Sequence, residues 1–398
     1  MRLLTYSQDG LGLGHFRRTM NIAQAVLARA PEGNVLTLAD AAATCLPAPI
    51  SGMDYVKLPT IVKVGRVSSR GKSWEPSTLR FETDAVIRLR RALMLAAFEE
   101  FKPTAVLVDH MPVGALGELK PILEYASQMR DRPRLMLGIR DILDAPDVIR
   151  RAWTESEAYA YLGAYDGVLV YGCRDIYDAE EKYGLSAHAR EVVYCNYVVA
   201  SGPKPVKKAV SLNGSPPSPS VLVMGGGGAD VFPLAQTFLS ALPAVRCDID
   251  ATAVILTGPN MPADQRARLL AQSDGYPVHV QTASNDVGSI LEDASVVVTM
   301  GGYNSLCEIL EYRKKALVVP RSGPSAEQRI RSQLLCERNL VRLIDPDDLC
   351  PKRMAEGLIR LLKEDGIPDT THIPALDGAE RAADMLLNGT HATASSRA

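Results

Sequence analysis

Short apolar runs alternate with longer segments of helical period along almost the whole chain. Strands buried on both faces read as continuous hydrophobic stretches, and the helices that cover them show one apolar stripe, so the pattern predicts α/β units built on parallel sheets. In the first half the predicted strands are RLLTYS, NVLTLA, DYVKLP, TAVLVD, RLMLGI and GVLVYG. Helices are predicted over Gly14 to Arg29, Leu79 to Phe101, Gly114 to Met129 and Arg174 to Tyr183. The alternation then stops at SGPKPVKKAVSLNGSPPSPS, whose proline, serine and glycine content continues neither a helix nor a central strand. It restarts with SVLVMG, ATAVILTG, YPVHVQ, SVVVTMG and KALVVP as strands.

A chain of 398 residues exceeds what one core supports. The expected organisation is a Rossmann-like domain over residues 1–200, a linker over 201–218 and a second Rossmann-like domain over 219–372. A C-terminal helix within 373–390 is expected to pack back on a domain, the first being the preferred one, ahead of a disordered tail over 391–398. Two such domains facing each other place a ligand in a central cleft, at the carboxyl ends of their strands.

Composition narrows the class. With 46% hydrophobic and 23% charged residues and a net charge of −2, the chain has no basic excess that would suit nucleic acid. Its seven cysteines are scattered and never form C-x-x-C, which fits reduced thiols in a cytoplasmic protein. No signal-peptide core and no run of about 18 apolar residues is present, so the expectation is at most peripheral contact with the inner face of a membrane. The segment LRRALMLAAFEEF is the candidate for that contact, and its alternative is an amphipathic helix packed on its own sheet.

Each half opens with a strand, a glycine cluster and a helix. In VMGGGGADVF, residues Gly225, Gly226, Gly227 and Gly228 let backbone approach a phosphate at a helix N-terminus, or simply make a tight turn. No Walker lysine follows, which argues against a P-loop NTPase. In VVVTMGGYNSLCE, Gly301 and Gly302 end a buried strand, and Asn304, Ser305 and Glu308 lie on the first turns of the next helix. A carboxylate there suits the two hydroxyls of a ribose, whereas Asn304 or Ser305 as a cap with a solvated Glu308 is the plainer alternative. In VPRSGPSAEQR, two prolines stiffen a loop that delivers Glu327 and Gln328 to a helix start, with Arg321 and Arg329 left to phosphate or to surface acids.

In the first half, SQDGLGLGHFRRT sets Gly12 and Gly14 before His15, with Arg17 and Arg18 directly after. A histidine at a helix start is a candidate general base, with Asp109 in VLVDHMP as its rival and His110 beside that rival. The two arginines either reach a phosphate on donor or acceptor or decorate the outer face of the helix.

These loops, in this order, resemble the donor-nucleotide half of GT-B glycosyltransferases, and more narrowly glycosyltransferase family 28. LGIRDILDAP and VLVYG are similar to a bacterial group of predicted glycosyltransferases. The resemblance implies a GT-B fold in which Glu308 binds the nucleotide ribose. The loops at Gly225 to Gly228 and Gly301 to Ser305 would hold the diphosphate, and Glu327 and Gln328 the donor sugar. It further implies that His15 faces the acceptor, although LGLGH departs from the family's Thr-Gly-Gly-His run and the acceptor does not transfer.

The expected activity is inverting, metal-independent transfer of a hexose or N-acetylhexosamine from a nucleotide sugar, probed best as a UDP-sugar, to a hydroxyl acceptor. No cofactor is implied beyond that co-substrate. Three alternatives remain open at this point. GLGLGHFRR also resembles the G-x-G-H-x-x-R opening of the UDP-sugar hydrolase of pseudaminic-acid synthesis. Asp40, after the second strand, sits where a dinucleotide fold carries its ribose acid, which would suit an NAD-dependent oxidoreductase. A non-catalytic nucleotide-sugar binder is the third.

Overall fold

The computed structural model describes residues 1–9, 14–41, 46, 50–64, 73–200, 218–282, 287–364 and 370–388. Gly12, the linker segment 201–217 and the tail 391–398 lie outside the described residues. The chain divides into two compact units, residues 1–201 with 375–398, and residues 202–374.

Unit 1 runs β1 (Arg2–Ser7), α1 (Gly14–Arg29), β2 (Asn34–Ala39), β3 (Met53–Lys57), β4 (Ile61–Val64), β5 (Ser73–Pro76), α2 (Thr83–Phe101) and β6 (Ala105–Asp109). It continues with α3 (Lys120–Gln128), β7 (Arg134–Arg140), α4 (Pro146–Glu155), α5 (Ala158–Leu162), β8 (Gly167–Tyr171), α6 (Ala179–Tyr183) and β9 (Val192–Tyr194). Seven strands form one parallel sheet in the order β3-β2-β1-β6-β7-β8-β9, with β4 and β5 as a separate antiparallel hairpin. β6 and β8 are buried along their whole length, as their unbroken apolar sequences require.

Unit 2 runs β10 (Ser220–Met224), α7 (Phe232–Asp248), β11 (Thr252–Leu256), α8 (Ala263–Ser273), β12 (Val278–Gln281) and α9 (Val287–Asp293). It ends with β13 (Val296–Thr299), α10 (Tyr303–Glu311), β14 (Lys315–Val318), α11 (Glu327–Glu337), β15 (Arg342–Leu343) and α12 (Pro351–Lys363). Its parallel sheet has the order β12-β11-β10-β13-β14-β15. Phe238, Leu242, Val298, Met354 and Leu358 share the core between this sheet and helices α7 and α12.

The last helix, α13 (Gly378–Asn388), returns to unit 1 and packs along α1. It buries Ala379, Ala382, Ala383, Met385 and Leu386. Its ends are pinned by Asn196 Nδ2 donating to Asp377 at 2.6 Å, and by Arg134 Nη1 donating to the carbonyls of Met385 and Leu386 at 3.1 Å.

Three helices start later than their periodicity suggests. α2 begins at Thr83 rather than Leu79, and α6 at Ala179, where Asp178 caps it by accepting from the Glu181 N–H at 3.1 Å. α3 begins at Lys120 rather than Gly114, because Gly114 and Gly117 take φ of +76° and +67° and turn the chain out of the helical region. α2 packs on its own unit through Val86, Ile87, Met94 and Phe98, and Arg90 of the basic LRRA segment points inward rather than toward a membrane. Among the described residues no helix is long and apolar enough to cross a membrane.

In each sheet the first strand has neighbours reached in opposite directions: β1 lies between β2 and β6, and β10 between β11 and β13. At such a switch point the following loops splay apart and open a crevice at the strand carboxyl ends. The crevice of unit 1 is bordered by the residues after β1 and β6, that of unit 2 by those after β10 and β13.

Candidate functional site

At the switch point of unit 1, the two rival candidates prove to be partners. His15 Nδ1 lies 2.5 Å from Asp109 Oδ2, joining the start of α1 to the end of β6. Asp109 is fully buried and is also gripped by Arg18, whose Nη2 donates to Oδ1 and Oδ2 at 2.8 and 2.7 Å and whose Nε donates to Oδ1 at 3.1 Å. His15 and Arg18 converge because residues three apart share one helix face. Two expectations are corrected here. Arg18, 2% exposed and stacked 5.4 Å over the Tyr171 ring, is neither an outer-face arginine nor a phosphate ligand. Asp109, expected as a rival to His15, is buried with both carboxylate oxygens bonded by His15 and Arg18, which makes it a partner of the histidine. Arg17 and Gly14 are exposed.

Burial drives the Asp109 carboxyl upward, but Arg18 and His15 overrule it and hold it below the ordinary carboxylate range. The ionised oxygen therefore accepts an Nδ1–H from His15 and leaves Nε2 as the basic nitrogen. Arg18 Nη2 also approaches Nδ1, at 2.9 Å, and this contact of two donors is tolerated because both bond the same carboxylate. Gly138, in mid-β7, makes room for the stack: a Cβ there would meet the Tyr171 hydroxyl at 1.8 Å.

His110 adds a second imidazole, its ring 4.6 Å from that of His15. Its backbone takes φ +73° and its N–H donates to Gly138 O at 2.7 Å. Burial, reinforced by His15, Arg140, Arg18 and Lys63, holds it well below the ordinary histidine range, so it is neutral.

The start of α1 is held by an internal carboxylate, Asp9, that no sequence motif marks. Asp9 Oδ1 accepts from the His15 and Phe16 N–H groups at 3.0 Å each, and Oδ2 accepts from Ser7 Oγ at 3.1 Å. The Asp9 N–H in turn donates to Asp40 Oδ1 at 2.8 Å. Asp40 is fully buried, with Arg90 Nη1 3.5 Å from its second oxygen. Arg90 also makes a two-pronged pair with buried Glu118, at 2.6 and 2.7 Å, to which Tyr6 donates its hydroxyl. Asp40 is thus committed to the interior, which removes the ribose-binding acid that an NAD enzyme would need.

In unit 2 the glycines divide by role. A Cβ on Gly225 would meet Val231 Cγ2 at 2.4 Å and one on Gly228 would meet Thr257 O at 2.0 Å. The turn is held to the loop after β11 by Asn260 N–H donating to Gly227 O at 2.9 Å. Gly301 is buried against Ser332 of α11, whereas Gly226 and Gly302 border open space. Packing thus requires Gly225 and Gly228, whereas a Cβ on Gly226 or Gly302 would meet nothing.

α10 begins after Gly302, which caps it without a side chain, so its amide dipoles point at the crevice. Ser305 faces the interior, while Asn304 and Glu308 are half-exposed on the first two turns. Glu327 is buried and accepts from Arg331 Nη1 at 2.9 Å; the same atom donates to Gly301 O at 3.3 Å, and the guanidinium covers Tyr303. Arg331, absent from the sequence reading, is the tie between the helix carrying Glu327 and the loop of Gly301. Gln328 Oε1 accepts from the Arg321 N–H at 3.0 Å, and the Arg321 side chain pairs with Asp230. Arg329 pairs with Asp347 at 3.0 Å, a surface acid.

Among solved structures the whole chain is similar to MurG of Acinetobacter baumannii, with a TM-score of 0.60 and 12% identity over 97% of this chain and 99% of that one. It is similar to the spinosyn forosaminyltransferase SpnP, with a TM-score of 0.59 and 15% identity over 97% and 94%. A UGT transferase from Siraitia grosvenorii, solved in complex with UDP, gives 0.57 and 14% over 97% and 99%. No curated protein matches the chain in sequence. The two Rossmann-like units therefore have the fold of GT-B glycosyltransferases. Residues 220–384 match the glycosyltransferase family 28 C-terminal domain.

Proposed function

We propose that the protein transfers a sugar from a UDP-sugar to a hydroxyl acceptor with inversion and without a metal ion, His15 serving as the base. The observation that carries this reading is the His15–Asp109–Arg18 assembly at the switch point of unit 1. Nε2 of His15 takes the acceptor proton as the acceptor oxygen attacks the anomeric carbon, and the bond to the UDP oxygen breaks. A single displacement inverts the anomeric centre. Asp109 keeps the ring in the right tautomer and orientation.

Unit 2 supplies the donor site. Gly226, Gly302 and the first turn of α10 receive the diphosphate, whose departing charge is met by backbone amides and the helix dipole. Glu308 takes the ribose hydroxyls, and the α11 start with Glu327 and Gln328 takes the sugar.

A screen of nucleotide sugars by thermal shift and UDP release, with and without EDTA, tests the reading. UDP-sugars should stabilise the protein, and EDTA should leave turnover unchanged; strict dependence on Mg²⁺ would remove the metal-independent mechanism. His15→Ala should lower turnover by about 10²-fold or more while UDP still binds. Free sugar released at full rate without an acceptor would make the protein a hydrolase.

A further inference from the structure

Of the three carboxylates that border the start of α1, two already have cationic partners. Asp109 is matched by Arg18, and Asp40 faces Arg90, which it shares with Glu118, while Lys57 stands at its carbonyl at 3.4 Å. Asp9 differs: its carboxylate bonds only the Ser7 hydroxyl and the His15 and Phe16 N–H groups, and among the described residues it forms no ion pair with a lysine or arginine. The Arg18 charge cancels that of Asp109, so Asp109 sets the direction of the His15 ring more than its basicity. Asp9, bonded to the backbone of the same histidine, carries a negative charge that no lysine or arginine among the described residues pairs with.

We propose that Asp9 is a positioning residue for His15: its carboxylate fixes the first turn of α1, so that the ring reaches Asp109, and supplies the unneutralised charge that favours the imidazolium formed during transfer. This rests on His15 being the base. The same bonds give the N-terminus of α1 a carboxylate of its own. Burial pushes the Asp9 carboxyl up to about 6 against the pull of His15 and the Phe16 N–H, with Asp40 and Asp109 pushing it further. A cap that was only structural would be favoured as the neutral amide, which accepts the same two N–H bonds without a buried charge.

The test is Asp9→Asn beside Asp9→Ala and His15→Ala, in the full-length protein, reading UDP release from the UDP-hexose that gives turnover, its pH profile and the melting temperature. Asp9→Asn should melt at or above the wild-type temperature at pH 7.5, lose about tenfold in kcat with little change in KM, and move the acid limb of kcat/KM about half a pH unit lower. Asp9→Ala should lose more in kcat and melt earlier. Wild-type rate and profile in Asp9→Asn, or a parallel loss of rate and melting temperature without a shifted profile, would overturn the proposal. If His15→Ala retains full turnover, the base assignment falls instead, whatever Asp9→Asn does. The melting curves stand without any substrate: an Asp9→Asn protein less stable than wild type at pH 7.5 also overturns the charge argument.

Discussion

An arginine held 2% exposed needs a carboxylate, and Arg18 has one in Asp109. Arg18→Leu removes that carboxylate's arginine and leaves it buried against the His15 ring, and should cost about 3–5 kcal/mol in urea unfolding. The two acids at this site respond to pH in opposite senses. Asp109 is held below its ordinary value, so its contribution is complete above about pH 4 and is lost as pH falls through the lower folded value. Asp9, raised to about 6, keeps its proton in the folded protein where the unfolded chain has already lost it. Its ionisation should therefore make stability fall as pH rises from about 4 to about 6, by on the order of 1 kcal/mol per unit, and Asp9→Asn should flatten that slope in calorimetric scans. His15, Arg18 and Asp109 were all legible as candidates, and the H-x-x-R spacing already puts the first two on one face. Their shared target was not, because Asp109 lies 94 residues from His15 and only the β1–β6 pairing brings them together. Asp9 carries no such signal, because no fixed spacing relates it to the helix start it bonds.

At the scale of elements, the central strands were readable because burial on both faces leaves no polar positions to confuse the period. The short edge strands β9 and β15 and the hairpin of β4 and β5 carry too few residues for any period to emerge. Glycine clusters mark loops reliably but do not say which glycine faces a ligand. Packing decides that, and it yields a test: Gly302 has φ near −63° and open space where a Cβ would go, so Gly302→Ala should change stability by less than about 0.5 kcal/mol. Its UDP affinity, measured by calorimetry, should fall about tenfold if the diphosphate lies against that backbone. Gly228→Ala would instead force the turn away from Thr257 O and lower the melting temperature.

At the scale of the whole molecule, the periodicity revealed two α/β units but gave only a preference for the unit that receives α13, since an amphipathic helix fits any apolar face. Leu386, 2% exposed on α13, contributes to unit 1. Both tryptophans, Trp74 and Trp153, lie in that unit, so their fluorescence follows its unfolding alone. Leu386→Ala should lower that transition by about 3 kcal/mol and leave UDP binding unchanged. The return of α13 also bears on the order of synthesis. All of unit 2 leaves the ribosome before the helix that covers α1, so the unit translated first is completed last. A chain truncated after residue 374 should therefore carry a folded unit 2 beside an unfinished unit 1, with the apolar side of α1 still accessible to a chaperone.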